Sequence, residues 1–259
     1  MFDSGFGGLT VARAVIDLLP HEPVLYLGDT GRYPYGPRPL EEVREFAVQI
    51  CDELVHRRGA RFVVVACNTA SAAALDLLCD RYDVPVIGVI EPGIRAAVAA
   101  TESGRVGVIG TVGTIGSGAY QAGFAAASTE VELTALACPG LVEFVERGDL
   151  DSEQVHVLVQ RLLAPAIDAG VDTLLLGCTH YPYLARTIGD VMGRDVVLVS
   201  SADETAFEVR RILGDSVSGD DLDEPAALQF VTTGDVQWFT ELGGRLLGPE
   251  LSTAEHLAW

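Results

Sequence analysis

Short runs of β-branched and other apolar residues alternate along this chain with longer segments of amphipathic sequence. Several short runs are apolar almost throughout, as strands are when helices cover both faces of a parallel sheet. This alternation predicts an α/β fold. The predicted strands cover residues 24–29, 62–67, 84–90, 105–111, 131–138, 172–178, 195–200 and 228–235.

The intervening segments carry helix signals. Apolar residues recur at helical spacing from Val43 to Leu54, with Pro39 near the start of the segment and Gly59 after its end, a pattern typical of one amphipathic helix. The other segments predicted to be helical are 70–82, 181–192 and 236–247. The acidic segment 215–225 is rich in turn-forming residues and predicts a solvated loop.

Two predicted strand-to-helix junctions resemble each other, one ending in Cys67-Asn68-Thr69 and the other in Cys178-Thr179-His180. The two cysteines are 111 residues apart (178 − 67), which is about the length of one small domain. We therefore expect two similar, doubly wound α/β domains, comprising residues 1–91 plus 203–259 and residues 92–202. If they face each other across a cleft, the strand ends place both cysteines in it. The alternative is plain repetition with two buried cysteines.

Composition excludes several classes of function. The net charge of −20 argues against nucleic acid or an anionic membrane as a partner. All 17 basic side chains are arginine, so no lysine is available for a Schiff base or a phosphate-binding P-loop. The N-terminus lacks the pattern of a signal peptide, and five cysteines do not make a disulfide framework. These features predict a cytoplasmic protein.

Cys67 and Cys178 are the first candidates for chemistry. If each lies at a helix N-terminus, the helix dipole and free N–H groups are expected to lower the pKa of its thiol. Two such groups on opposite sides of one carbon can remove a proton from one face and return one to the other. That arrangement inverts a stereocentre without a cofactor.

The residues that follow the two cysteines are candidates for holding a carboxylate through amide, hydroxyl and backbone N–H donors. These are Asn68, Thr69, Thr179 and His180. Helix capping is the alternative for the first three, and His180 is either a surface imidazole or a group that tunes the neighbouring thiol. The Cys-Thr-His spacing does not match paired zinc ligands, so no metal is predicted. Cys51, Cys79 and Cys138 are expected to be structural.

A glycine-rich turn near the N-terminus leads into a predicted helix, but it lacks the third glycine of a dinucleotide-binding fingerprint. Its glycines indicate either a close approach of backbone to a ligand or simply a tight turn. A second loop, from Gly28 to Gly36, follows a predicted strand at the end where binding residues usually lie.

In their order and intervals, these motifs closely resemble those of the glutamate racemases, cofactor-independent enzymes of the aspartate/glutamate racemase superfamily. The resemblance runs through most of the chain. It is carried by Phe2-Asp-Ser-Gly-Phe-Gly-Gly-Leu-Thr10, Leu27-Gly-Asp-Thr30, Pro34-Tyr-Gly36, Ala66-Cys-Asn-Thr-Ala-Ser71, Gly88-Val-Ile-Glu-Pro92, Gly110-Thr111 and Gly177-Cys-Thr-His-Tyr-Pro182.

The resemblance implies interconversion of L- and D-glutamate, which supplies D-glutamate for bacterial peptidoglycan. It implies that Cys67 is the base for D-glutamate and Cys178 the base for L-glutamate, each acting as the acid in the reverse direction. Asp3 then assists Cys67, and His180 assists Cys178. The implied substrate contacts are Asp3, Ser4, Tyr35, Gly36, Asn68, Thr69, Thr111, Thr179 and His180.

The resemblance also places a further carboxylate, Glu146, near the site, with Glu143 as the competing assignment. It implies a homodimer. Related enzymes carry a few apolar residues before the position of Phe2, so this sequence predicts a weakened first domain and a poorly fixed Asp3. Two alternatives stay open, namely a racemase for another amino acid such as aspartate, and a non-catalytic regulatory or binding relative.

Overall fold

The computed structural model describes residues 1–214 and 226–259. The segment 215–225, predicted to be a solvated loop, lies outside the described residues. Among the described residues, no helix is both long enough and apolar enough to cross a membrane.

The strands form two sheets in which all neighbouring strands run parallel. The first has the order β10-β9-β2-β1-β3-β4 and the second β6-β5-β7-β8. The strands are β1 Phe2–Asp3, β2 Val24–Gly28, β3 Val63–Val65, β4 Val86–Gly88, β5 Arg105–Gly110, β6 Glu132–Ala137, β7 Thr173–Leu176, β8 Val197–Ser200, β9 Leu228–Thr232 and β10 Glu255–His256.

Helices connect these strands and cover the sheets. They are α1 Leu9–Leu18, α2 Leu40–Asp52, α3 Asn68–Arg81, α4 Ile90–Ala100, α5 Val112–Gly116, α6 Ala119–Ala127, α7 Leu141–Glu146, α8 Glu153–Asp168, α9 Ala185–Met192, α10 Ser201–Leu213 and α11 Val236–Leu246. A π-helical turn, Glu53–Arg57, extends α2 towards Gly59, whose φ of +69° suits glycine. The predicted helix 181–192 begins instead as a 3₁₀ helix, Tyr181–Leu184, a common form for a first turn.

Each sheet has an apolar core on both of its faces, which confirms the predicted α/β fold. In the first sheet, successive residues of β3 point to opposite sides. Val63 and Val65 pack with α2 and α3, whereas Val64 packs with α1, α10 and α11. In the second sheet, Leu174 and Leu176 pack with α8 and α9, and Leu175 packs with α4 and α6.

All eight predicted strands are present, but most end sooner than predicted at their carboxyl ends. Four residues that lie one or two positions past a strand line the cleft described below, namely Cys67, Thr111, Cys138 and Cys178. Asp29, just past β2, instead accepts a hydrogen bond from Tyr35 of the cleft. The strand β9 returns to the first sheet beside β2. The predicted domain boundaries themselves stay a prediction.

The expectation that Asp3 is poorly fixed is wrong in this structure. The two-residue strand β1 lies in the interior of the first sheet, where Phe2 pairs with both Leu27 and Val65. The Asp3 carbonyl accepts a hydrogen bond from the Asp29 amide at 2.9 Å, and Asp3 is fully buried. Backbone pairing on both sides therefore anchors this short strand.

Candidate active site

The carboxyl ends of strands from both sheets open into one cleft, which holds about 590 Å³ of space including its open mouth. Both Cys67 and Cys178 line it, and neither forms a disulfide. Of the other residues implied by the resemblance, those that line the cleft are Asp3, Ser4, Tyr35, Gly36, Asn68, Thr69, Thr111, Thr179 and His180. The structure thus brings together every implied substrate contact.

Cys67 is the N-cap residue of α3. Its sulfur accepts a hydrogen bond from the Ala70 amide at 3.4 Å, and its thiol is 3.8 Å from the Ser4 hydroxyl, to which it donates. The residue is almost completely buried. The predicted position at a helix N-terminus is therefore present for this cysteine.

The predicted fall in the pKa of Cys67 is wrong. Burial and the nearby charge of Asp3 raise the pKa of its thiol to about 12, against the opposing effect of the Ala70 amide. A helix terminus stabilises a charge by about 0.3–2 kcal/mol, whereas full burial shifts a pKa by as much as about 3–5 units, or roughly 4–7 kcal/mol. Desolvation therefore outweighs the dipole, and the resting Cys67 is a neutral thiol.

Cys178 has different surroundings. It follows β7 and precedes the 3₁₀ helix rather than an α-helix, so its predicted position is only partly correct. Its sulfur is 3.8 Å from Nδ1 of His180, and Nε2 of that ring is 2.6 Å from Oε1 of Glu146. A relay of thiol, imidazole and carboxylate thus runs from the cleft into the protein.

Glu146 is the inner end of this relay and is not among the residues that line the cleft. Glu143, the competing assignment on α7, lines the cleft instead. Burial lowers the pKa of His180, but hydrogen bonds to Cys178 and Glu146 outweigh this effect and raise the pKa well above its usual value. A protonated His180 can return a proton to the Cys178 sulfur.

Asp3 holds the loop that follows β1. One carboxylate oxygen accepts from the Gly5 amide at 2.9 Å, and the other accepts from the Thr179 hydroxyl at 3.4 Å. Asp3 therefore connects the first sheet to the segment that carries Cys178. Its charge also acts on Cys67, although the two side chains share no hydrogen bond among the contacts described.

The glycine-rich turn after Asp3 allows close packing across the cleft. A Cβ atom at Gly7 would lie 2.3 Å from Nδ1 of His180, and one at Gly5 would lie 3.0 Å from Oε1 of Glu146. The structure shows a close approach to side chains of the protein itself, and the predicted close approach to a ligand stays a prediction. The approach is to the relay of His180 and Glu146.

Three threonine hydroxyls meet where the two sheets face each other. Thr69 lies 3.0 Å from Thr111 and 3.1 Å from Thr114, and these two are 2.9 Å apart. Hydroxyls both donate and accept, so this cluster can offer a proton to a carboxylate while it stays internally bonded. Sequence reasoning missed Thr114, although it lies three residues after Thr111 at helical spacing.

Tyr35 and Gly36 come from the loop after β2. The Tyr35 hydroxyl donates to Oδ2 of the buried Asp29, and the Gly36 carbonyl accepts from the Gly113 amide at 2.9 Å. The loop is thereby fixed to both halves of the molecule. Tyr33 of the same loop also lines the cleft. The sequence indicated this loop, but Tyr33 was not named because it lies just before the Pro34-Tyr-Gly36 motif.

The remaining cysteines differ in their surroundings. Cys51 is buried in the core against α3, and Cys79 is exposed on that helix. Cys138, expected to be structural, packs in the core and also lines the cleft beside Cys178. Among the residues that the structure describes, no group of three or more His, Cys, Asp or Glu side chains could hold a metal ion.

Comparison with known proteins identifies the class. Residues 10–208 match the family model described as Asp/Glu/Hydantoin racemase. The chain belongs to this family. The curated relatives include a glutamate racemase of Parafrankia that is 55% identical over 97% of this chain and 91% of its own length.

Solved structures agree with this assignment. A glutamate racemase of Bacillus anthracis matches with a TM-score of 0.92 and 42% identity, over 100% of this chain and 95% of its own. A glutamate racemase of Francisella tularensis in complex with D-glutamate matches with a TM-score of 0.90 and 29% identity, over 99% of this chain and 96% of its own. The resemblance to glutamate racemases predicted from the motifs is confirmed.

Proposed function

We propose that this protein interconverts L- and D-glutamate by proton transfer between Cα and two cysteines. The observation that carries the proposal is that Cys67 and Cys178, at the ends of strands in two different sheets, line the same cleft. The glutamate racemases to which the chain is similar support glutamate as the substrate. The D-glutamate in the Francisella tularensis complex supports it too.

In the proposed reaction from L-glutamate, the Cys178 thiolate takes the Cα proton and becomes a thiol. The Cys67 thiol then donates its proton to the opposite face of Cα and becomes a thiolate. The raised pKa of Cys67 suits this step because it keeps the proton on the sulfur until the carbanion forms. The reverse reaction uses the same two groups in exchanged roles. After one turnover from L-glutamate the Cα proton is on Cys178 and Cys67 is a thiolate, so Cys178 must release a proton to solvent and Cys67 must take one up before the next L-glutamate reacts.

The carbanion needs stabilisation because a Cα proton beside an amino and a carboxylate group is a very weak acid. None of the residues described as lining the cleft is an arginine. The donors available there are the Asn68 amide and the hydroxyls of Thr69, Thr111 and Thr179, since both ring nitrogens of His180 are engaged by Cys178 and Glu146. Fixed dipoles aimed at the growing charge lower the barrier by several kcal/mol in such sites, roughly 3–4 for one donor.

The test is inversion of purified L- and D-glutamate and L- and D-aspartate, followed by optical rotation or circular dichroism. We expect inversion of glutamate, and a loss of roughly 100- to 10,000-fold in Cys67→Ala and in Cys178→Ala. The matched control is Cys79→Ala, which removes an exposed thiol on α3. Inversion of aspartate alone would favour the other racemase, and a folded but inactive wild type would favour a binding relative.

We also propose the wider setting that the resemblance implies. The chain would act in the bacterial cytoplasm, supply D-glutamate for peptidoglycan and work as a homodimer. Free cysteines are compatible with a reducing compartment. Sedimentation equilibrium tests the dimer, since a particle of only 27.4 kDa would contradict it.

A further inference from the structure

Tyr120, on α6, lies between the two segments that carry the cysteines. It is fully buried. Its hydroxyl donates to Oδ1 of Asn68 at 2.7 Å, and Asn68 is the residue after Cys67. Its ring lies against Gly177, the residue before Cys178, where an added Cβ would be 2.8 Å from one ring carbon and 3.0 Å from the next. One side chain therefore touches the immediate neighbours of both cysteines.

The Asn68 side chain is held in one orientation by this contact. Its Oδ1 is occupied by the Tyr120 hydroxyl, whereas its Nδ2 is buried and has no hydrogen-bond partner among the described residues. Buried amide groups in native proteins are nearly always paired. Because Asn68 lines the cleft, the unpaired amide indicates a donor reserved for a bound group that accepts hydrogen bonds.

We propose that Tyr120 is a positioning residue, which orients the Asn68 amide so that its Nδ2 donates to the substrate carboxylate. This inference rests on the proposed function. The carboxylate of an amino acid is the acceptor that such a donor requires, and charge-assisted hydrogen bonds of this kind are stronger than neutral ones.

The chemistry of the phenol suits this role. Burial raises the pKa of Tyr120 far above its usual value, so the hydroxyl keeps its proton and remains a donor. The Tyr120 ring also requires that residue 177 have no side chain. The corresponding position before Cys67 is Ala66, whereas an alanine at 177 would collide with the Tyr120 ring and with the Ile109 carbonyl at 2.7 Å.

The test is Tyr120→Phe, which removes the hydroxyl and keeps the ring. Binding of racemic glutamate is measured by calorimetry, because a racemic mixture is already at equilibrium and the measurement needs no turnover. We expect binding to weaken roughly fivefold to tenfold, the loss of about one hydrogen bond. In an Asn68→Ala background the same substitution should weaken binding by less than about twofold.

Tyr82→Phe is the matched control. Its hydroxyl donates to Asp52 at 2.7 Å and to the Val48 carbonyl at 3.1 Å, at the C-terminal end of α3, whereas Cys67 caps the N-terminal end. We expect unchanged glutamate binding in this variant. Equal weakening by Tyr120→Phe in the wild-type and Asn68→Ala backgrounds would overturn the inference, as would wild-type binding in Tyr120→Phe. A wild type that neither binds nor inverts glutamate would overturn the proposed function itself. The two outcomes above, obtained with an active wild type, would overturn only the role of Tyr120.

Discussion

At the scale of the residue, the two cysteines have unequal surroundings. Cys67 has a hydroxyl and a backbone amide beside its sulfur, whereas Cys178 has an imidazole backed by a buried carboxylate. Burial raises the pKa of Cys67. In the proposed mechanism, the relay through His180 returns the proton to Cys178.

Replacing Glu146 with glutamine should expose the role of this relay. The substitution removes the charge that helps to raise the pKa of His180, so the imidazolium is lost at a lower pH. We expect the alkaline limb of the kcat/KM profile to move to lower pH by about 1 unit or more, so that the loss of activity relative to the wild type grows as pH rises. Initial rates measured across pH 6–10 check this prediction.

Glu143→Gln provides the matched control for that experiment. It removes the same charge from the same helix, but Glu143 has no hydrogen bond to His180 among the contacts described. The alkaline limb of the kcat/KM profile of this variant should stay at the same pH as in the wild type. Equal shifts in the two variants would show that the general negative charge of the site, and not the relay, sets the profile.

At the scale of the element, the loop after β2 is fixed by one buried carboxylate. Asp29 is fully buried and accepts hydrogen bonds from Arg32 at 2.7 Å, Thr233 at 2.6 Å and Trp259 at 3.1 Å, as well as from Tyr35. The Arg32 guanidinium also stacks on the Trp259 ring. The position of Tyr35 in the cleft therefore depends on a network that reaches the last residue of the chain.

Asp29→Ala should loosen this loop. Removing one partner of a buried ion pair leaves Arg32 uncompensated and costs about 3–5 kcal/mol of unfolding free energy. KM for glutamate should rise as Tyr35 loses its anchor. Urea unfolding and steady-state kinetics check both effects. Asp17→Ala, which breaks an exposed pair with Arg13, should change stability by less than about 1 kcal/mol, and a similar loss in both variants would contradict the network.

Much of the fold could be predicted because long apolar runs and helical spacing are local signals. The strands β1 and β10 have two residues each and are too short to show a period. Both cysteines could be found because each ends a long apolar run. The pKa of Cys67, the hydrogen bond between Glu146 and His180 and the contact of Tyr120 with Asn68 depend on residues that only the tertiary structure brings together.

At the scale of the whole molecule, burial of ionisable groups links activity to stability. Burial raises the pKa values of Cys51, Cys67 and Cys138 to about 12, from a usual value of 9.0. The unfolded chain loses these three protons near pH 9 while the folded chain keeps them. The unfolded state therefore binds fewer protons above pH 9, and stability falls as pH rises.

We accordingly predict that the free energy of unfolding falls between pH 8.5 and 10. At pH 10 each buried thiol should contribute about 1.4 kcal/mol of loss. Cys51→Ala, far from the chemistry, should reduce the pH slope by roughly a third of the thiol contribution. Urea unfolding under reducing conditions measures the free energy of unfolding at each pH. A free energy that does not change with pH in the wild type, or a pH dependence that is the same in Cys51→Ala, would contradict buried neutral thiols.

In the proposed mechanism, two sulfur atoms act on opposite faces of one carbon. Its most direct test is the turnover of protiated L-glutamate in D₂O, sampled early and analysed by mass spectrometry after the enantiomers are separated. We expect the first D-glutamate to carry one deuterium at Cα while the remaining L-glutamate keeps its protium. Early D-glutamate that retains protium, or deuterium that enters both enantiomers at the same rate, would mean that one base serves both faces and would contradict it.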